Sequence, residues 1–166
     1  NPLSHAFIEA GHQAGFALNN DFNGPHQDGF GLYQVTQKNG ARCSSAVAYL
    51  DPVRNRRNLT IVTGAQANRI TFQHGRANGV VYRAKGRVFH EAAAREVLLS
   101  GGALNSPQLL MLSGIGPAMQ LRRHGIDVVV DAPQVGENLQ DHLDICTLRH
   151  CPQPITYDRL SDARIA

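Results

Sequence analysis

Ser100–Gly116 reads SGGALNSPQLLMLSGIG, and its punctuation decides how the rest of the chain is laid out. Just ahead of it, Glu96, Val97, Leu98 and Leu99 form a short, mostly apolar run of the kind that fills a buried strand. Gly101, Gly102 and Ala103 carry little or no side chain, which predicts a tight turn and then a helix. Ser106 stands where an N-cap is expected and Pro107 at the first helical position, where its missing N–H costs nothing. Leu109, Leu110 and Leu112 supply an apolar helical face, and Gly114 and Gly116 end the helix. A strand, a turn of small residues and a helix start let a ligand approach the backbone closely and offer it unpaired N–H groups. The same residues also serve plain strand-to-helix packing, and physics alone leaves both readings open.

Working back from this stretch, residues Asn68 to Ala94 alternate in the manner of strands. Ile70 and Phe72 alternate with polar residues, Gly79-Val80-Val81-Tyr82 follows, and Val88-Phe89 comes after the Lys85-Gly86 turn, which predicts three short antiparallel strands. Leu59 to Thr63 is a β-branched run that predicts a further strand, and Ser44 to Leu50 a short helix running into Asp51-Pro52. Residues 19–39 are rich in Asn, Asp and Gly and predict a loop, whereas Ser4 to Gly15 places Ala6, Phe7, Ala10 and Ala14 at helical spacing. Working forward, Pro117 and Gly125 bracket a helix over Ala118 to His124, and Val128 to Val130 predicts a buried strand. Leu143-Asp144-Ile145-Cys146-Thr147-Leu148 alternates, which would set Asp144 and Cys146 on one face of a strand.

Several function classes are disfavoured by composition and spacing. A formal charge of +3, with Arg54, Arg56 and Arg57 as the only basic cluster, is too small and too scattered for a nucleic-acid partner. The eight His residues include no HExxH and no tight pair, so no metal is expected. Cys43, Cys146 and Cys151 are odd in number and lack CxxC spacing, which implies reduced thiols and a cytoplasmic setting. Gly114-x-Gly116 follows a helix, and Gly101-Gly102 lacks GxGxxG spacing, so the dinucleotide fingerprint is missing from these residues. An opening at Asn1 and the absence of a leader segment lead to the expectation of a piece of a longer protein.

The string from Ser100 to Gly116, including Asn105-Ser106-Pro107 and Ser113-Gly114-Ile115-Gly116, resembles the second signature of the glucose-methanol-choline (GMC) flavoprotein oxidoreductases. Arg42-Cys43-Ser44-Ser45 with Ala48-Tyr49-Leu50, then Arg57-Asn58-Leu59, then Val135-Gly136-Glu137-Asn138-Leu139-Gln140-Asp141-His142 follow in that family's order, so the likeness runs from about Phe7 to about Pro154. Within the family it is nearest to choline-oxidising members and related alcohol dehydrogenases. The resemblance implies an α/β architecture with α+β elements: part of a GMC-type FAD-binding domain carrying a three-stranded antiparallel meander, plus edges of a substrate domain. It divides the chain into a substrate-side helix and loop over 1–40, a partial FAD-binding domain over 41–136, and a junction with the start of a substrate domain over 137–166.

The same resemblance implies an FAD-dependent enzyme that oxidises a small primary alcohol, with a choline-like substrate among those expected. The family's GxGxxG and its catalytic His belong to regions outside these residues, so no catalytic residue is assigned here, and the 166 residues alone are expected to be inactive and empty of FAD. The family position whose backbone meets the adenine falls on Ala67, with Gly101 and Gly102 as the other cofactor neighbours. Choline-oxidising members carry a Glu two residues after the His at position 142, and here that residue is Asp144. Electron acceptor and membrane or quinone association stay open, as do two other classes: a non-catalytic binding module of the same fold, and a nicotinamide-dependent dehydrogenase.

Overall fold

The computed structural model describes residues 1–153, 155 and 156; the expectations that reach Pro154 and residues 157–166 lie outside the described residues. The chain forms two compact units, Asn1–Leu59 with the described residues from Ile145 onward, and Thr60–Asp144.

In the first unit, helix α1 (Pro2–Gln13) begins where the Asn1 side chain accepts a hydrogen bond from the Leu3 N–H at 2.9 Å. An aromatic cluster joins helix and loop: Phe30 lies 5.3 Å from the exposed Phe7 and 5.2 Å from the exposed Phe16 between ring centroids. The following loop is held by its own side chains. Asn19 Nδ2 donates to the His26 carbonyl at 2.8 Å, and Asp21 Oδ1 accepts from Gln34 Nε2 at 2.8 Å and from the Asn23 N–H at 2.9 Å. The Gln34 contact, and next the Asn23 contact, hold the Asp21 carboxyl below its ordinary value. Strands β1 (Gln37–Lys38) and β2 (Ala41–Arg42) make a two-residue ladder. The helix expected over Ser44 to Leu50 is a π-helical turn over Ala46–Leu50 that runs into a 3₁₀ turn over Asp51–Val53.

The second unit is built on the predicted meander. Strands β3 (Ala65–Gln73), β4 (Arg76–Ala84) and β5 (Arg87–Ala92) pair antiparallel in the order β3-β4-β5. Both hairpins close through two residues with left-handed backbone, His74-Gly75 and Lys85-Gly86, the geometry that matches the twist of the strands they join. Ala67 pairs with Tyr82 and Arg69 with Val81, so Asn68 is the extra residue of a bulge. The core here is small, with Ile70, Val81, Ala84 and Leu121 buried.

Helix α2 (Gly102–Leu112) has Gly101 as its cap residue, five residues before the N-cap expected at Ser106, and Pro107 lies inside it. Ser106 Oγ instead accepts the Gly101 N–H at 3.0 Å, which satisfies the N–H of the residue that precedes the helix. Ser113 and Gly114 end the helix, Gly114 as expected, whereas Gly116, the other glycine expected to stop it, lies in the strand that follows. Strand β6 (Ile115–Gly116) pairs parallel with β7 (Val130–Asp131), and α3 (Ala118–Arg123) begins where Asp131 Oδ1 accepts the Ala118 N–H at 3.0 Å.

Four expected strands differ from what forms. Glu96–Leu99, Leu59–Thr63 and Leu143–Leu148 have no regular structure, and the predicted buried strand at Val128–Val130 is a two-residue strand at Val130–Asp131, with Val129 and Val130 about half exposed. A strand needs a neighbour to complete its ladder, and no described residue pairs with the first three segments. Leu98, Leu143 and Leu148 are accordingly exposed to 81%, 92% and 89%.

Candidate functional site

Helix α2 presents Asn105, Gln108, Leu109 and Leu112, spaced i, i+3, i+4 and i+7, along one stripe. Together with Gln66 and Ala67 of β3 and Leu99 and Gly101 ahead of the helix, this stripe encloses a cavity of about 390 Å³, within the size of small-molecule sites. Two of the four residues expected at a site, Ala67 and Gly101, therefore meet in one cavity from opposite sides.

The lining sets what this cavity can accept. Leu99, Leu109 and Leu112 give apolar contact, Ala67 and Gly101 leave room for a flat group, and the amides of Gln66, Asn105 and Gln108 can donate and accept hydrogen bonds. No Lys or Arg lines it, and the Gly101 N–H is taken by Ser106 Oγ. The lining thus suits an uncharged heteroaromatic group and is unsuited to phosphate. Gln66, Asn105 and Gln108 went unassigned in the sequence, although the helical spacing of Asn105 and Gln108 with the leucines was the available signal.

The other two candidates stand apart from this cavity. Gly102 does not line it; its φ of +85° leaves the place of a Cβ facing open space. Gly101 has φ −81°, and a Cβ there would lie 3.3 Å from Asn105 Cβ. The strain of a β-branched residue in left-handed backbone exceeds that of a tight contact, so Gly102→Val is expected to cost about 2 kcal/mol and Gly101→Val about half of that. Thermal melts check the order, and an unchanged melting temperature for Gly102→Val would overturn it. Asp144 is exposed at the end of the second unit, in a segment without the predicted alternating strand. His142 donates its backbone N–H to Asp141 Oδ1 at 2.8 Å.

A second cavity, about 740 Å³, adjoins α2 as well, sharing Gln108 and Leu112 with the first and lined further by Leu104, Met111, Leu121 and His124 among others. Among the described residues no group of three or more His, Cys, Asp or Glu is placed to hold a metal ion. No described helix is long and apolar enough to cross a membrane.

The chain is 52% identical over 170 residues to an oxygen-dependent choline dehydrogenase of Brucella ovis, a match covering 99% of this chain and 31% of that protein. It is 53% identical over 149 residues to an alcohol dehydrogenase [acceptor] of Pseudomonas putida, covering 87% of this chain and 27% of that one. Among solved structures it is similar to pyridoxine 4-oxidase from Mesorbium loti, with a TM-score of 0.70 and 33% identity over 81% of this chain and 26% of that chain. The chain thus spans about a third of the length of the relatives it matches. Residues 1–144 match the model of the GMC oxidoreductase family, and with the meander and the α2 signature in place the chain belongs to that family.

Proposed function

We propose that the protein to which these residues belong oxidises a primary alcohol, passing a hydride to FAD. The observation that carries this reading is the 52% identity to a choline dehydrogenase over 99% of the chain. The cofactor, when bound, supplies the redox chemistry, and the protein supplies binding and orientation. On this reading Ala67 and Gly101 border the adenine, the amides of Gln66, Asn105 and Gln108 orient it, and Leu109 and Leu112 exclude water from its face. Gly102 contributes the left-handed turn that starts α2 beside it. Residues 1–40 serve the substrate side, 41–136 the FAD domain and 137–166 the junction to the substrate domain. The 166 residues alone lack a phosphate-binding turn and leave FAD too weakly held to turn over.

The substrate is a cationic or amino alcohol, with Asp144 attracting its charge. A quaternary ammonium donates no conventional hydrogen bond, so a nearby carboxylate acts on it through charge alone. In the full-length enzyme, Asp144→Asn is expected to raise KM for such an alcohol by about tenfold, or roughly 1.4 kcal/mol, while neutral alcohols change little. Steady-state kinetics on a charged and a neutral substrate check this, and equal loss on both would make Asp144 a structural residue. Purified full-length protein is expected to be yellow and to oxidise the alcohol. A colourless preparation without dehydrogenase activity would favour a binding module instead, and activity that depends on a nicotinamide would favour the other class.

A further inference from the structure

β3 is an edge strand, so backbone N–H groups on its outer side have no strand to donate to. The N–H of buried Ile70 donates instead to Ser113 Oγ at 2.8 Å, and the same hydroxyl donates to the Leu109 carbonyl at 2.5 Å. Ser113 is itself buried, 7% exposed, and a buried polar group of this kind is held by the hydrogen bonds it makes. One hydroxyl therefore ties the end of α2 to β3 across 43 residues of sequence.

The tie sits on the same helix–strand pair that bounds the 390 Å³ cavity. Ile70 lies three residues beyond Ala67 on β3, and Leu109, whose carbonyl accepts the Ser113 hydroxyl's hydrogen bond, also lines the cavity. From the other side, the carbonyl of the adjacent Gly114 accepts the N–H groups of Val129 at 2.8 Å and Val130 at 3.1 Å, so the Ser113 backbone is held as well. We propose that Ser113 is a positioning residue that sets the separation of β3 and α2, and through it the width of the cleft for the adenine of FAD. The inference rests on the FAD reading above, since the group it positions for is that cofactor.

The test uses the full-length protein and three variants. Ser113→Ala removes the tie and Ser113→Thr keeps the hydroxyl. Leu121→Ala damages the same unit at a side chain that does not itself line the cleft, although the larger cavity it lines shares Gln108 and Leu112 with it. Ser113→Ala is expected to weaken FAD binding by about tenfold or more, read from flavin fluorescence on dilution, and to speed amide exchange over residues 65–73. At saturating FAD its kcat should stay within about twofold of the parent value, because the residue touches no reacting atom. Ser113→Thr should bind FAD like the parent, and Leu121→Ala should melt earlier at unchanged FAD affinity.

Unchanged FAD affinity in Ser113→Ala, or an equal weakening in Leu121→Ala at matched loss of melting temperature, would overturn the positioning role. Should Ser113→Ala not be recovered folded, Ser113→Cys takes its place with the same expected order, a thiol being a weak acceptor. A parent protein that holds no flavin at all would overturn the cofactor reading and this inference with it, an outcome distinct from unchanged affinity in a yellow enzyme.

Discussion

Truncating Leu121 to alanine is expected to cost the Thr60–Asp144 unit about 3 kcal/mol. Leu121 is 1% exposed, the most deeply buried large side chain among the described residues, and its Cδ atoms lie 3.6 and 3.8 Å from where a Cβ on Gly116 would stand. It also organises the turn after α3, since its carbonyl accepts the N–H groups of His124 at 3.0 Å and Ile126 at 3.0 Å. Leu→Ala changes in cores span about 2 to 5 kcal/mol, the spread reflecting how far the site can collapse. The adjoining 740 Å³ cavity gives neighbours room to move, which places the cost in the lower half of that range. Native-state hydrogen exchange across residues 115–131 of the full-length protein measures it, and a loss under about 1 kcal/mol would show that Leu121 is not a core residue.

Gly114→Ala is expected to cost a similar amount by a different route. Gly114 has φ +87°, and a Cβ there would lie 2.5 Å from the Asp127 carbonyl oxygen and 2.8 Å from Val129 Cγ2. The backbone cannot retreat without breaking the two hydrogen bonds from Val129 and Val130. Strain in left-handed backbone and overlap with a fixed carbonyl then add, for a total of about 3 kcal/mol. The loss should be confined to one region: exchange should quicken at β6 and β7 while β4 and β5 keep their protection. Protection of residues 114–131 equal to the parent's would refute the argument.

How much of this was legible beforehand depended on whether the information is local. The meander could be read because Lys85-Gly86 is a two-residue turn whose residue types fix its geometry, and because Ile70, Val80 and Val88 sit in short runs on either side of such turns. Helix α3 could be read because Pro117 and Gly125 act within one turn of its ends. Pro107 misled, because preference for the first helical position is weak beside the packing that starts α2 at Gly102. The runs at Leu59–Thr63 and Glu96–Leu99 misled for another reason: apolar patterning records what a side chain needs and is silent about whether a neighbouring strand exists to supply the hydrogen bonds. At the candidate site, Ala67 and Gly101 came from resemblance, and the structure brings them to one cavity. Ser113 was read only as part of a signature, since its partner Ile70 is 43 residues away and no local pattern connects the two.

That separation also bears on the order in which the second unit assembles. Each hairpin of the meander closes across two residues, His74-Gly75 and Lys85-Gly86, and hairpins of this kind form in about 1–10 μs. Docking of α2 onto β3 must close a far longer loop, and the entropy of closure grows with loop length. The sheet is therefore the part that can stand early, and the Ser113 bond is made late, after most of the chain entropy of the unit has been spent. Interactions absent from a folding transition state govern how slowly a protein comes apart and have little influence on how fast it forms. By that logic the hydroxyl of Ser113 lengthens the lifetime of the folded unit while the two glycine turns set its folding rate.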